Sequence, residues 1–506
     1  MSNPPLEGPR PRLRKHLIPP EALQLIPESM ARKFTAIPIE LDDNALHVAM
    51  ANPADILALE ALASHSQMRI EPEPATAREI EEAIDFNYQS YDEIEKQLSS
   101  ITVPEDTSGA PARLDTVTDA PVVRALTLII DEAVKARASD IHLQPREDTL
   151  LVRCRVDGTL HDMLTLPLMT AIPLISRIKV LANMNIADRH RPQDGQFSIK
   201  TRGRPAIDIR VGTIATVYGE MAVLRLLDKS KAVMSLAELG FLPESLTLYE
   251  EMLKVPYGMI LASGPTGAGK TTTLYASVNC LDLTGRNIIT IEDPVEYRFN
   301  HINQIQVNPR SGLTFASGLR SILRLDPDVI LIGEIRDAET ARIAIQSALT
   351  GHLVLSSIHA NDAVSVVSRL LDLGVEPFLV SAALIGVVAQ RMVRKVCPEC
   401  ARLGSVPLVE KIAFNREISE ERSDFLSGSG CKSCGETGYQ GRTGIFEILR
   451  MSDELRMMLL NGSTAAQLRR QAVKEGMISL LRNAMLKVKA NETTPAEVLR
   501  NAYSVE

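Results

Sequence analysis

The chain has no tryptophan, and aromatic residues make up only 4% of its 506 positions. Proteins that grip single-stranded nucleic acid stack bases on aromatic rings set among basic residues. Here the rings are scarce and the net charge is -8, with a pI near 5.7, which argues against a general nucleic-acid binder and leaves room only for a local basic channel. Six cysteines are too few for a disulfide framework in a chain of this length. No apolar run is long enough to span a bilayer; the most apolar stretch, Phe378 to Ala389, is too short. The N-terminus is Pro-rich with a basic cluster, Arg10, Arg12, Arg14 and Lys15, and lacks the apolar core of a signal peptide. It reads as a disordered tail, and export is not expected.

What remains is 45% apolar residues, ordinary for a soluble protein, over a length that predicts three or four domains. Residues 1–98 carry short helix and strand patterns, with helices expected over Glu21 to Met30, Asp55 to Ser64 and Ala75 to Tyr88. Strands are expected over Ala36 to Leu41 and Leu46 to Met50, making a small α/β domain. Residues 99–118, rich in Ser, Pro, Gly and charge, read as a flexible linker. A second domain, 119–230, opens with a helix over Pro121 to Arg137 and continues in alternating strands, with Asp157-Gly158 as a hairpin turn. Its late strands carry Arg210 and Arg225 beside apolar neighbours: solvated face residues, or charges presented to another subunit's nucleotide.

After a linker at 231–240, residues 241–395 alternate helices with buried strands, the signature of a parallel sheet wrapped by helices. The apolar run Met259 to Ala262 leads into Gly264-Pro265-Thr266-Gly267-Ala268-Gly269-Lys270-Thr271, followed by Thr272 and a helix start. Strand, glycine-rich turn and helix in that order form a phosphate-binding P-loop. The glycines let backbone N–H groups point at phosphate oxygens, and the helix N-terminus adds its positive end. Lys270 is expected on the β- and γ-phosphates and the Thr271 hydroxyl on Mg²⁺.

Two further strands end in carboxylates, where the crevice of such a sheet binds ligand. One delivers Glu292-Asp293-Pro294-Val295-Glu296, the other Gly333-Glu334-Ile335-Arg336-Asp337. Gly333 stands where many P-loop enzymes have the Mg²⁺-holding Asp, so Glu334 becomes the candidate for polarising the attacking water. A helix over Ser317 to Leu325 is expected to carry Arg320 and Arg324 on one face. His352 and His359 bracket the strand Leu353 to Ile358 and read as γ-phosphate sensors or relays.

Cys397-x-x-Cys400 and Cys431-x-x-Cys434 are separated by thirty residues, a strong signal for a tetrahedral zinc site. Four thiolates leave no open position, so the zinc is expected to be structural, within a module at 396–445. Cys154 and Cys280 read as core residues. Residues 446–506 read as helical, with starts at Ser463-Thr464 and Thr493-Thr494-Pro495.

With these residues in hand, the chain resembles the secretion ATPase superfamily of type II secretion and type IV pilus assembly. Arg137 to His142, Ile291 to Glu296, Asp326 to Asp337, Thr350 to Asn361 and Gly438 to Gly444 agree with that superfamily in order and spacing. The resemblance implies an α/β multidomain fold: a RecA-like P-loop ATPase core, a PAS-like α+β second N-terminal domain, the small N-terminal α/β domain and the tetracysteine zinc module. It further implies a homo-hexamer in the cytoplasm, peripheral on the inner membrane through a platform protein and a membrane-anchored docking protein. ATP, Mg²⁺ and Zn²⁺ are the implied cofactors, with no nucleic acid. Arg210 and Arg225 would reach the phosphates when their domain closes, with Arg320 and Arg324 as lesser candidates. A retraction motor of the same superfamily, a nucleic-acid translocase and a nucleotide-gated scaffold are the rival readings. Secretion and pilus assembly are not separated by these residues.

Overall fold

The computed structural model describes residues 18, 20–42, 45–87, 120–200, 206–227 and 234–502. The linker expected at 99–118 and the basic cluster at 10–15 lie outside them. The chain divides into two units, Met1–Asp228 and Lys229–Glu506. Among the described residues no helix is long and apolar enough to cross a membrane.

The first unit begins with helices α1 (Pro20–Leu25), α2 (Glu28–Phe34), α3 (Ile56–Ser66) and α4 (Ala77–Asn87) around three strands. Strand β1 (Ala36–Asp42) is antiparallel to β2 (Ala45–Met50), which is parallel to β3 (Arg69–Pro74). The single helix expected over Glu21 to Met30 is two, because Pro27 has no N–H to donate and pushes Ile26 out of helical geometry. Leu46, Val48, Leu62, Ile80 and Ile84 are buried in this core.

Helix α5 (Ala120–Lys135) opens the second part of the unit. Six antiparallel strands follow: β4 (Ala138–Pro145), β5 (Thr149–Val156), β6 (Thr159–Pro167), β7 (Gln193–Ile199), β8 (Ile207–Thr216) and β9 (Gly219–Leu227). Their order in the sheet is β6-β5-β4-β9-β8-β7, and α6 (Ala171–Leu181) joins α5 in the core. Asp157 (φ 47°) and Gly158 (φ 87°) are both left-handed, the two-residue geometry that matches strand twist between β5 and β6. Ile141, Leu224, Ile209 and Val211 alternate into the core. Their neighbours Asp140, Arg225 and Arg210 therefore share the outer face, side by side on three adjacent strands.

The second unit is built on a seven-stranded sheet of order β12-β11-β13-β14-β10-β15-β18. Its strands are β10 (Gly258–Ser263), β11 (Ile288–Glu292), β12 (Asn303–Gln306), β13 (Val329–Ile332), β14 (Leu353–Ile358), β15 (Leu384–Val396) and β18 (Tyr439–Arg450). All pairs are parallel except β15 with β18. β10, β11, β13 and β14 are buried along their whole length. Their residues feed two cores in alternation: Leu261, Ile330 and Val354 on one face, Ile260, Leu331 and Leu355 on the other. That two-sided burial is why these strands read as unbroken apolar runs.

Helices α7 (Pro243–Leu253), α8 (Lys270–Asn279), α9 (Phe315–Ile322), α10 (Ala338–Leu349), α11 (Ala363–Asp372) and α12 (Pro377–Ala383) connect the strands. Helix α9 is shorter than expected and ends before Arg324, whose guanidinium turns back to donate to Arg320 O at 3.0 Å. The apolar stretch from Phe378 to Ala389 is shared between α12 and β15.

Beyond β15, β16 (Ala401–Ser405) and β17 (Asp424–Gly428) form a hairpin-like pair around α13 (Leu408–Ile418). β18 then returns the chain to the main sheet, so residue 445 falls inside a strand of that sheet. Helices α14 (Asp453–Leu460), α15 (Ala465–Lys474), α16 (Leu480–Lys489) and α17 (Pro495–Ala502) complete the unit. Thr464 caps α15, accepting from Gln467 N. Cys154 is buried as expected; Cys280, expected in a core, is exposed just past the end of α8.

Candidate nucleotide site and cysteine cluster

β10 ends at Ser263 and α8 begins at Lys270, so Gly264 to Gly269 form the loop between a central strand and a helix N-terminus. Gly264 sits at φ 144°, and a Cβ there would lie 2.3 Å from Gln390 O, so only glycine lets the loop pass β15. Gly269 (φ 88°) caps the helix in the left-handed region. Lys270 Nζ donates to Gly264 O at 2.7 Å and Pro265 O at 3.3 Å. Burial lowers the Lys270 pKa below its ordinary value, and the Glu334 charge opposes that. Thr271, one residue on, is exposed. Glycine freedom, a clustered lysine and an accessible hydroxyl at a ten-residue helix N-terminus are a donor set that fits a phosphate chain with its Mg²⁺.

Glu334 follows β13 through Gly333. A Cβ on residue 333 would lie 3.3 Å from Glu292 Cα and 3.4 Å from Ile291 O, so this position is tightly packed against the neighbouring strand. The Glu334 carboxylate is 16% exposed, pairs with Arg336, and stands 3.5 Å from His359 Nε2. Glu334, Lys270 and His359 are thus gathered at the C-terminal ends of β13, β10 and β14. A cavity of about 400 Å³ beside them is lined by Gly264, Pro265, His359, Asn361, Ser365 and Arg369.

Glu292 is 3% exposed. Its carboxylate accepts from the Tyr275 hydroxyl, from Thr290 Oγ1 at 2.7 Å and from Gln304 Nε2 at 3.3 Å. His352 lies at the opposite end of β14 from His359, about 20 Å away by strand rise. Its Nδ1 is 2.9 Å from Ser347 O, closing the end of α10, and the structure does not bring it to the loop. Arg320 pairs with Glu339. Arg210 and Arg225 belong to the first unit. There Arg225 Nε donates to Asp140 at 3.1 Å, and Arg155 flanks the same carboxylate at 3.8 Å.

Gln390 was missed by the sequence reading. It is 2% exposed on β15, and its Nε2 donates to Ala268 O at 2.6 Å, tying the loop to the neighbouring strand. The signal was present as the one amide within the apolar run of β15. Tyr275, inside α8, carries no motif of its own in the sequence.

Cys397, Cys400, Cys431 and Cys434 converge, all four Sγ atoms within 4.8 Å of one another. The Sγ separations are 3.7 Å for Cys397–Cys431, 3.9 Å for Cys400–Cys434 and 3.7 Å for Cys431–Cys434. A tetrahedron with Zn–S bonds of about 2.3 Å has edges of about 3.8 Å, whereas a disulfide needs about 2.05 Å. The four thiols fit zinc. Cys434 Sγ also accepts from Cys431 N at 3.2 Å and Gly438 N at 3.3 Å, bonds that favour the thiolate.

The model of the type II/IV secretion system protein family matches residues 115–500, and that of the MshEN domain residues 7–93. The type IV pilus assembly ATPase PilB of Myxococcus xanthus is 39% identical over 493 residues, 96% of this chain and 87% of that one. Type II secretion system protein E of Klebsiella pneumoniae is 45% identical over 408 residues, 81% of each chain. The X-ray structure of the Legionella pneumophila ATPase DotB superposes with a TM-score of 0.56 at 20% identity, over 77% of this chain and 96% of that one, a likeness of fold. With its P-loop core and a family match spanning both units, the chain belongs to the type II/IV secretion system protein family.

Proposed function

We propose that this chain is an ATP-hydrolysing hexameric motor that drives assembly of pilin-like fibres, for type II secretion or type IV pilus biogenesis. The observation that carries the reading is the meeting of Lys270, Glu334 and His359 at the P-loop, in a chain whose relatives bear the names of pilus assembly and secretion proteins. Gly264 to Thr272 would cradle the phosphates, with Lys270 leaving its loop carbonyls for the β- and γ-phosphates. Thr271 would hold Mg²⁺, which supplies charge neutralisation at the phosphate oxygens. Glu334, steadied by Arg336 and His359, orients water for in-line attack. Catalysis is then mostly positioning and electrostatics. Glu292, its oxygens held by three donors, would help Glu334 orient the water by keeping its segment in place. His352, at the opposite end of β14, would hold the end of α10 rather than act on the phosphates.

Arg210 and Arg225 would supply charge to the phosphates when their domain closes on the ATPase unit, Arg225 leaving its pair with Asp140 to do so. Such a charge is worth about 10³ or more in rate. Cys397, Cys400, Cys431 and Cys434 would hold a structural zinc that ties the ends of β15 and β18. The motor would work in the cytoplasm, on the inner membrane, through a platform protein and a membrane-anchored docking protein.

The test is phosphate release by the purified chain. Glu334→Gln should bind ATP as the parent does and turn over about 10²- to 10⁴-fold more slowly. Parent-like turnover in that variant would remove the assignment.

A further inference from the structure

Helix α8 carries Lys270 and Thr271 in its first turn, and Tyr275 lies four residues beyond Thr271, on the same face. Tyr275 is 3% exposed. Its ring packs edge-on against Phe299 at 5.0 Å and Tyr297 at 6.2 Å, contacts that a phenylalanine would make equally well. The hydroxyl does something a phenylalanine could not. It donates to Glu292 Oε2 and accepts from Glu296 N at 3.4 Å, gripping both ends of the segment 292–296.

That segment is wired to the water-orienting carboxylate by two routes. Gly333, which precedes Glu334, lies so near the segment that an added Cβ would stand 3.3 Å from Glu292 Cα, and it donates its N–H to Ile291 O, next to Glu292, at 2.8 Å. Asp293, inside the segment, bears electrostatically on Arg336, the partner of Glu334. The phenol is kept protonated first by burial and then by the Glu292 charge, so it remains a donor to that carboxylate. Hydrogen bonds to a charged acceptor in a buried site are the strong ones, and Thr290 and Gln304 complete the set around Glu292.

We infer that Tyr275 is a positioning residue: its hydroxyl fixes the 292–296 segment to the phosphate-binding helix, so that Glu334 and Arg336 are aligned with whatever Lys270 and Thr271 hold. The inference rests on the ATPase reading above. It separates two properties of one helix. Lys270 and the loop glycines govern nucleotide binding, whereas the Tyr275 hydroxyl governs turnover.

The experiment compares the full chain with Tyr275→Phe, Glu292→Gln, the double variant and Glu334→Gln, measuring binding of a non-hydrolysable ATP analogue and steady-state phosphate release. Tyr275→Phe is expected to bind the analogue within about twofold of the parent and to lose about tenfold in kcat. The double variant should lose less than the product of the two single losses, because the hydroxyl acts in part through that carboxylate. An unchanged kcat in Tyr275→Phe overturns the inference. So does a parallel loss of binding, which would mark the hydroxyl as a prop for the helix, or losses that multiply in the double variant. If Tyr275→Phe does not fold, Glu292→Gln carries the same test, with a kcat loss at parent-like binding expected and a loss of binding refuting. Parent-like turnover in Glu334→Gln would instead fail the ATPase reading, whatever Tyr275→Phe does.

Discussion

Replacing Gln390 by leucine keeps the volume on β15 and removes the N–H that holds the P-loop carbonyl of Ala268 at 2.6 Å. Leaving that carbonyl without its donor costs about 1–3 kcal/mol. Gln390 Oε1, however, is itself buried with no partner among the described residues, and leucine removes that orphan as well, returning a cost of the same kind. The two nearly cancel in global stability, so the thermal midpoint should move by no more than about 2–4 °C. Nothing cancels for the loop, which loses its tether to the strand and must be ordered by the nucleotide instead. A net hydrogen bond is worth about 0.5–1.5 kcal/mol, so Gln390→Leu should weaken ATP binding about two- to tenfold. Titration with a fluorescent ATP analogue, alongside thermal unfolding followed by circular dichroism, reads both quantities. Parent-like affinity would refute the tether, and so would a large fall in midpoint, because it would make Gln390 a general core residue.

Two other outcomes follow from buried groups away from the loop. Burial, opposed by Asp140 and reinforced by Arg155, Arg153 and Arg225, lowers the His142 pKa in the folded chain from its ordinary 6.5. The unfolded chain then takes a proton as pH falls below about 6.5 while the folded one does not. Stability of the second domain is therefore full above that pH and is lost as pH falls toward the folded value. His142→Gln should flatten the dependence in melts between pH 7.5 and 5, and an unchanged slope would refute it. At the cysteine cluster, elemental analysis should find one zinc per chain. Cys400→Ser and Cys434→Ser should each lose it together with several degrees of thermal stability, because Cys397 and Gly438 join the ends of β15 and β18. Metal-free protein with parent stability would contradict a structural role.

Much of the second unit was legible because its chemistry is local in the chain. Gly264 to Thr271 announce a loop whose function depends on consecutive backbone N–H groups. β10, β13 and β14, buried on both faces, leave unbroken apolar runs that read as strands. The cysteine pairs were legible for the same reason, each pair being half a tetrahedron within four residues. Where the reading failed, the determinant was a neighbour distant in sequence or a single backbone constraint. Pro27 split a helix whose apolar spacing ran through it. The helix carrying Arg320 stopped short of Arg324. Cys280, apolar in its sequence surroundings, fell at an exposed helix end.

The sequence by itself determined the P-loop, the parallel sheet, the thiolate set and the candidacy of Glu334, since each rests on residue types at short fixed spacings. Only the tertiary structure decided which of the remaining polar residues stand at the loop. The two histidines bracketing β14 look equivalent in one dimension, yet a parallel strand has one end at the crevice and the other at the opposite edge. His359 therefore faces Glu334 while His352 closes α10. Gln390 is 120 residues from Lys270, and Tyr275, although on the same helix, reaches the site only through its bond to Glu292. They meet the site because β15 pairs beside β10 and Tyr275 on α8 bonds Glu292 at the end of β11, contacts that exist only once the sheet has assembled.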